Sequence, residues 1–396
     1  MSRQLTRRET LGGLLACTGA AAFSRAGWAK DIKAPVGDAA PLTELGMQLS
    51  AEQRAAGVAF LKRHASVDTH SHPGRFFLKR LTEQTPTTRA FGEAFEDQAI
   101  ADLSAGNVSA TLFCAVADMR LIEMTPTQGL RAARDWTPGE AYADYRRQLA
   151  ELKKLRSNNH ALIPGLTPAD IDAAHREHKT GAVFAVEGGD FIEDRLDRVH
   201  GAFHDGVRAV TLVHYHINQI GDIQTEAPVH NGLTALGKSI VAEMNRTGII
   251  VDLAHATVAV TKDVLGASSK PIMISHTNIA TPGVNHPRLI SIEHAKLVAS
   301  AGGIIGSWPS GIGQSSFSDY IDSIQRLVDT VGIDHAAIGT DMDANFKPVL
   351  SSYRDWSLIP AALLARGMHD DEAAKIMGGN FLRVFKSNLK LPTRLG

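Results

Sequence analysis

Residues 66–72 read Ser-Val-Asp-Thr-His-Ser-His, a short run of β-branched and small residues that ends on two histidines. Seven later runs have a similar make-up: Val108–Ala117, Ala182–Gly189, Arg208–His216, Gly248–His255, Pro271–Thr277, Gly302–Pro309 and His335–Asp343. Their apolar character is continuous rather than alternating, the pattern of strands buried on both faces of a parallel sheet. Between them lie stretches with apolar residues at helical spacing, among them Glu140–Leu155, Leu233–Arg246, Ile292–Ala301 and Tyr320–Thr330. Eight strand runs alternating with helices predict an α/β fold, a TIM-type (β/α)8 barrel. The competing open, doubly wound sheet lacks its usual ligand signatures, since no GxGxxG follows a first strand and no Walker sequence occurs. The long intervals after the first and second runs predict insertions whose helices cover the barrel mouth at the catalytic face.

Composition agrees with a large globular core and excludes other classes. The 396 residues include 41 Lys+Arg and 42 Asp+Glu, and the resulting formal charge of -1 offers no basic surface for nucleic acid. With 44% hydrophobic and 21% charged residues, the composition is not that of a disordered chain. Cys17 and Cys114 belong to no CxxC pair, which argues against thiolate zinc sites and redox dithiols. A metal would have to be held by histidine and carboxylate.

Residues 1–29 read as a separate unit. Arg3, Arg7 and Arg8 precede a weakly apolar stretch, Leu11–Phe23, and a small-residue end at 26–29, the order of an export signal. TRRETLG at 6–12 is similar to the twin-arginine signal, with Thr10 where that signal usually has an aromatic residue. The apolar run is too short and weak to remain in a bilayer, so no transmembrane span is expected. Lipid attachment at Cys17 is the alternative, ranked lower because it would cut the apolar region short. The expected organisation is a signal peptide at 1–29, a bacterial periplasmic location, and one barrel domain over 30–396.

Placing the polar residues on the strands brings out the chemistry. His70 and His72 end the first run, Glu187 the third, His214 and His216 the fourth, His255 the fifth, His276 the sixth and Asp341 the eighth. The carboxyl ends of barrel strands form one face, so these residues converge despite their separation in sequence. Positions i and i+2 of a strand share a side, which lets His70 and His72 hold one cation together. A lone histidine in an apolar run is ordinarily a hydrogen-bonded core residue. Repeated at the ends of six strands, the pattern points instead to a divalent cation, because burying so many imidazoles and carboxylates uncompensated costs several kcal/mol. Glu187 could alternatively sit at a helix start, Asp341 competes with Asp343, and His216 has the weakest claim.

These motifs resemble the membrane dipeptidase (renal dipeptidase) family of the amidohydrolase superfamily. The resemblance runs from VDTHSHPG at 67–74 through AVEGG at 185–189, VTLVHYHIN at 210–218, GIIVDLAHATVAVTKDVL at 248–265, PIMISHT at 271–277 and IGTDMD at 338–343 to GGNFLRVFK at 378–386. It implies two divalent ions, Zn2+, with His70 and His72 on the first, Glu187 bridging, and His255 and His276 on the second. It further implies His214 as the group that orients substrate or polarises its carbonyl, Asp341 as proton shuttle, and Arg288 as partner of the substrate's carboxylate. The implied activity is hydrolysis of dipeptides, with a D-residue tolerated at the carboxyl end; a homodimer is left open. Alternative readings are hydrolysis of a lactone, β-lactam, cyclic amide or ester, and a periplasmic metal- or ligand-binding protein without turnover. Two positions depart from the family: His72 stands where it usually has aspartate, removing one negative charge, and Ala344 stands where glycine commonly follows Asp-x-Asp.

Overall fold

The computed structural model describes residues 45–125 and 129–389. The expected signal segment and Cys17 lie outside the described residues. Eleven strands are present among those described: β1 (Val67–Ser71), β2 (Ala110–Val116), β3 (Ile122–Thr125), β4 (Gly129–Ala132), β5 (Leu162–Pro164), β6 (Thr180–Glu187), β7 (Val207–Thr211), β8 (Ile250–Asp252), β9 (Met273–Thr277), β10 (Ile304–Ser307) and β11 (Ala336–Ile338).

Eight of them close a ring of parallel pairs in the order β1, β2, β6, β7, β8, β9, β10, β11, with β11 returning to β1. All eight expected runs are therefore barrel strands, and the (β/α)8 expectation holds. Each expected helix is also present, as Glu140–Ser157, Ala235–Thr247, Ile292–Ser300 and Phe317–Val331. The last shows the logic of the set. Ser316 and Asp319 form a capping box at its start, and Phe317, Tyr320, Ile321, Ile324 and Leu327 bury one face.

The insertions differ in part from expectation. The first carries helices, Pro86–Phe91 and Glu96–Ala105, as expected. The second adds an antiparallel hairpin, β3 with β4, and the short β5 alongside the start of β6. Four-residue strands such as Ile122–Thr125 are too short to impose a readable alternation.

Inside the barrel, alternate residues such as Leu112 and Cys114, or Val183 and Ala185, join Val67, Ile250 and Ile304 in an inner core. The helix Asn380–Asn388 packs Phe381, Val384 and Phe385 against it. Its last residue approaches Gly248, just before β8, so this helix closes the amino-terminal end. Where β1, β9, β10 and β11 meet, there is no room for more: a Cβ on Gly339 would lie 1.8 Å from the Ser275 carbonyl oxygen. With one end plugged by hydrophobic side chains, polar groups collect at the other. Among the described residues no helix is long and apolar enough to cross a membrane.

Candidate metal centre

At the carboxyl end of the barrel, five imidazoles surround one buried carboxylate. His70 Nε2 and His255 Nε2 lie 3.2 and 3.1 Å from Glu187 Oε1, and His276 Nε2 is 3.7 Å from the same oxygen. His72 Nε2 and His214 Nε2 are each 3.4 Å from Glu187 Oε2. His70 Nε2 and His72 Nε2 stand 3.2 Å apart, so the i and i+2 residues do share one side. Asp341 joins from the opposite edge, with Oδ1 3.3 Å from His72 Nε2. Donor atoms of three overlapping triads, His70–Glu187–His276, His70–His72–Asp341 and Glu187–His214–His255, lie within 4.8 Å of one another.

Neighbouring groups fix how several rings face. His72 Nδ1 donates to the Cys114 carbonyl at 2.8 Å, and His214 Nδ1 lies 2.6 Å from Asp118 Oδ1. Ser275 Oγ is 3.1 Å from Nδ1 of both His70 and His276. Such contacts leave Nε2 as the nitrogen offered to the centre. Backbone strain contributes as well: His255 and Asp341 adopt φ of 66° and 55°, a region that residues with a side chain rarely enter. Unusual backbone of this kind is retained where a side chain must be aimed, at a cost of about 1–3 kcal/mol. The Asp341 N–H donates to the His70 carbonyl at 2.8 Å and the His72 N–H to the Met342 carbonyl at 3.0 Å, joining the ends of β1 and β11.

Electrostatics follow from this crowding. Burial opposes a charge on Glu187, but the fields of His214 and His70 and the contacts from His255 and His70 outweigh it, holding its pKa well below the usual range. Burial likewise opposes a cation at His72, yet Asp341 and Glu187 push its pKa up to about 10. His255 and His276 go the other way, since burial, and then the field of Arg288 on the former and of His70 on the latter, hold them well below an ordinary imidazole. Imidazole nitrogens gathered around a carboxylate are a donor set for divalent cations, which displace protons from such ligands on binding, so these residues fit such ions.

The remaining sequence-derived residues sort clearly. Arg288 is 1% exposed rather than a surface residue. Its Nη1 donates to Gln224 Oε1 at 2.7 Å, its Nη2 is 2.9 Å from His276 Nε2, and its guanidinium lies over the Trp308 ring. His216 turns to Asp190 and Asp135, at 2.5 and 3.2 Å. Asp343 accepts the Gly74 N–H at 2.7 Å, which leaves Asp341 as the acid that faces the cluster. Asp118 is a functional candidate that the strand runs did not bring out. It stands one residue beyond the second run, and applying the strand-end rule there would have found it.

A closed parallel barrel with a histidine–carboxylate cluster at its carboxyl face defines a (β/α)8 barrel protein with a candidate metal site where such barrels carry their active sites. The chain belongs to the membrane dipeptidase family, Peptidase family M19, whose family model matches residues 55–394. Dipeptidase verJ of Clonostachys rogersoniana is 31% identical over 228 residues, 56% of this chain and 58% of that protein. Dipeptidase tcpJ of Claviceps purpurea is 34% identical over 227 residues, 55% of this chain and 53% of that one. The chain thus aligns with little more than half the length of these relatives. Among solved structures, the probable dipeptidase PvdM of Pseudomonas aeruginosa superposes with a TM-score of 0.69 at 18% identity, covering 85% of this chain and 98% of its own. A metallopeptidase of Rhodobacter sphaeroides, bound to a phosphinate mimic of L-Ala-D-Ala, gives 0.69 at 18% identity over 82% of this chain and 99% of its own. At these identities the superpositions speak for the fold.

Proposed function

We propose that this protein is a metal-dependent dipeptidase that accepts a D-residue at the carboxyl-terminal position. The observation that carries the reading is the ring of five Nε2 atoms within 3.7 Å of Glu187, with the Arg288 guanidinium touching its rim at His276. Glu187 with His70 and His72 would hold one divalent ion and Glu187 with His255 and His276 a second, and zinc suits such a set. Bound there, the ions supply Lewis acidity, which lowers the pKa of a water molecule and polarises the scissile carbonyl.

The protein's own groups do the rest. Burial disfavours a proton on His214, but Asp118 and Glu187 outweigh it and raise its pKa, so Nε2 has a proton to offer the carbonyl oxygen as charge develops there. Asp341, whose side chain is 13% exposed against 3% for Glu187, is the most accessible acid of the cluster. It takes a proton from water and returns it to the leaving amine. Arg288 pairs with the free carboxylate of the substrate, which limits the enzyme to short peptides. That pairing favours a dipeptide over an uncharged lactone, β-lactam, cyclic amide or ester.

Acceptance of a D-residue is supported by the ligand of the Rhodobacter sphaeroides metallopeptidase, a mimic of L-Ala-D-Ala. Residues 1–29 support export to the periplasm, where peptides of this kind arise from cell-wall turnover. A panel of L-Xaa-L-Xaa and L-Xaa-D-Xaa dipeptides, assayed with and without a chelator, tests the activity. Hydrolysis that survives complete demetallation, or none after zinc or manganese addition, overturns it. Replacing Arg7 and Arg8 by lysine should trap the protein in the cytoplasm, and unchanged fractionation would refute the export reading.

A further inference from the structure

We propose that Gln224 is a positioning residue for substrate recognition: its amide oxygen holds the Arg288 guanidinium in place while leaving its charge uncancelled for a free carboxylate. The inference deepens the dipeptidase reading and rests on it, and its ground is the pairing of a buried cation with a neutral partner. Arg288 is 1% exposed, and among the described residues its guanidinium touches Gln224, His276 and the face of Trp308, none of them an anion. Its Nε is buried without a hydrogen-bond partner. A guanidinium taken out of water with no counter-ion is costly, and an arriving anion removes that cost.

The segment that carries Gln224 is fixed to the chain just beyond β8. The Gln224 N–H donates to the His255 carbonyl at 2.8 Å, Ile223 and Ala256 form an antiparallel bridge, and the Thr257 N–H donates to the Asp222 carbonyl at 3.3 Å. The Asp222 carboxylate accepts the N–H groups of Val229, His230 and Gly232 at 2.7, 2.8 and 2.8 Å, which holds the loop that follows. On the other side, the Arg288 carbonyl accepts the Thr277 hydroxyl at 2.8 Å, and the Ile290 N–H donates to the Asn278 carbonyl at 2.9 Å, tying Arg288 to the end of β9. The 2.7 Å bond from Nη1 to Gln224 Oε1 thus joins two anchored segments and sets the direction of the guanidinium. Trp308 supports it from one face, and Nη2 is the limb that reaches the histidine cluster, 2.9 Å from His276 Nε2. A carboxylate at 224 would hold Arg288 equally well, but as an ion pair it would cancel the charge that the substrate needs. Glutamine has the same reach and orients without neutralising.

The test compares a dipeptide with its carboxyl-terminal amide, which has the same shape and no charge at that end. For the full-length holoenzyme, KM and kcat are measured with L-Ala-D-Ala, and L-Ala-D-Ala amide is titrated as a competitor, in the natural sequence, Gln224→Glu and Gln224→Met. Both replacements are close to glutamine in length, and near-UV circular dichroism with equal metal content checks that each is folded. Gln224→Glu should raise KM for the dipeptide about 10–150-fold, the worth of a charge-assisted contact, with kcat and the inhibition constant of the amide each within about threefold. Gln224→Met keeps the charge of Arg288 and loses only its orientation, so KM should rise about 3–10-fold. A merely structural role would weaken dipeptide and amide alike and lower kcat. Equal losses for the two ligands in either variant, or an unchanged KM for the dipeptide, overturn the proposal. A natural enzyme that binds the amide as tightly as the dipeptide, or that hydrolyses no dipeptide, refutes the underlying dipeptidase reading, and the proposal falls with it.

Discussion

Replacing Asp118 by asparagine gives the sharpest test of how the cluster is kept in working order. The carboxylate lies 2.6 Å from His214 Nδ1, is fully buried, and also accepts the Tyr215 N–H at 2.9 Å through its other oxygen. Asparagine can keep the Tyr215 contact with its carbonyl oxygen, so local structure should be preserved. It then presents an NH2 group to Nδ1, which removes a charge-assisted hydrogen bond and favours the wrong tautomer. Such a bond is worth about 1.5–3 kcal/mol, which corresponds to a loss of about 10–150-fold in rate. On the proposed role of His214 at the carbonyl oxygen, the loss should fall on kcat, with KM changed by less than about threefold. Dipeptide hydrolysis measured between pH 5 and 9, with metal content confirmed equal in both proteins, is the assay. A kcat within about twofold of the natural enzyme would refute the argument that Asp118 keeps His214 protonated at Nε2.

Other expectations concern substrate, metal, pH and packing. Arg288→Lys loses the two-pronged contact and should raise KM for dipeptides about 30-fold or more while leaving kcat within about threefold; an effect confined to kcat would contradict the carboxylate role. Chelation should lower the thermal midpoint by several degrees, because each ion at about 100 times its Kd contributes about 2.7 kcal/mol; calorimetry with and without chelator reads this, and superimposable transitions would argue against a bound ion. For His216, burial opposes the cation but Asp190 and Asp135 raise its pKa to about 9. Its contribution to stability is thus full below the unfolded pKa near 6.5 and fades as pH rises through about 9. The natural protein should lose up to about 3 kcal/mol between pH 7 and 10, and His216→Gln should show a flatter profile; equal profiles would remove this role. Gly339→Ala sets a Cβ 1.8 Å from the Ser275 oxygen and should destabilise the barrel by about 3 kcal/mol or more, seen as a lower denaturant midpoint or insolubility; unaltered stability would contradict the tight crossing.

The barrel was legible because a strand buried on both faces leaves a compositional trace that its neighbours cannot hide. The same trace located the ends from which His70, Glu187, His255 and His276 project. The β3–β4 hairpin left no such trace, since its strands are half-exposed and only four residues long. Asp118 stands one residue beyond the second run, where the strand-end rule points to it; what the sequence does not carry is its contact with His214. Nor does a sequence reveal that His72 faces Asp341, or that a carbonyl at Cys114 holds its ring. These are relations between loops, fixed by how far each strand overshoots the sheet, and local pattern carries no information on that distance.

Closure of the ring between β1 and β11 has a consequence for the order in which the molecule matures. The carboxylate of Asp68 holds the N–H of Thr340 across 272 residues of chain, and Asp341 follows at once. While the ribosome is still making the last strand, the histidines of the first have neither their closing wall nor that acid beside them. A nascent chain therefore has loose imidazoles without a finished cage. A chain cut short before β11 would be deprived of the closed barrel and of Asp341 together.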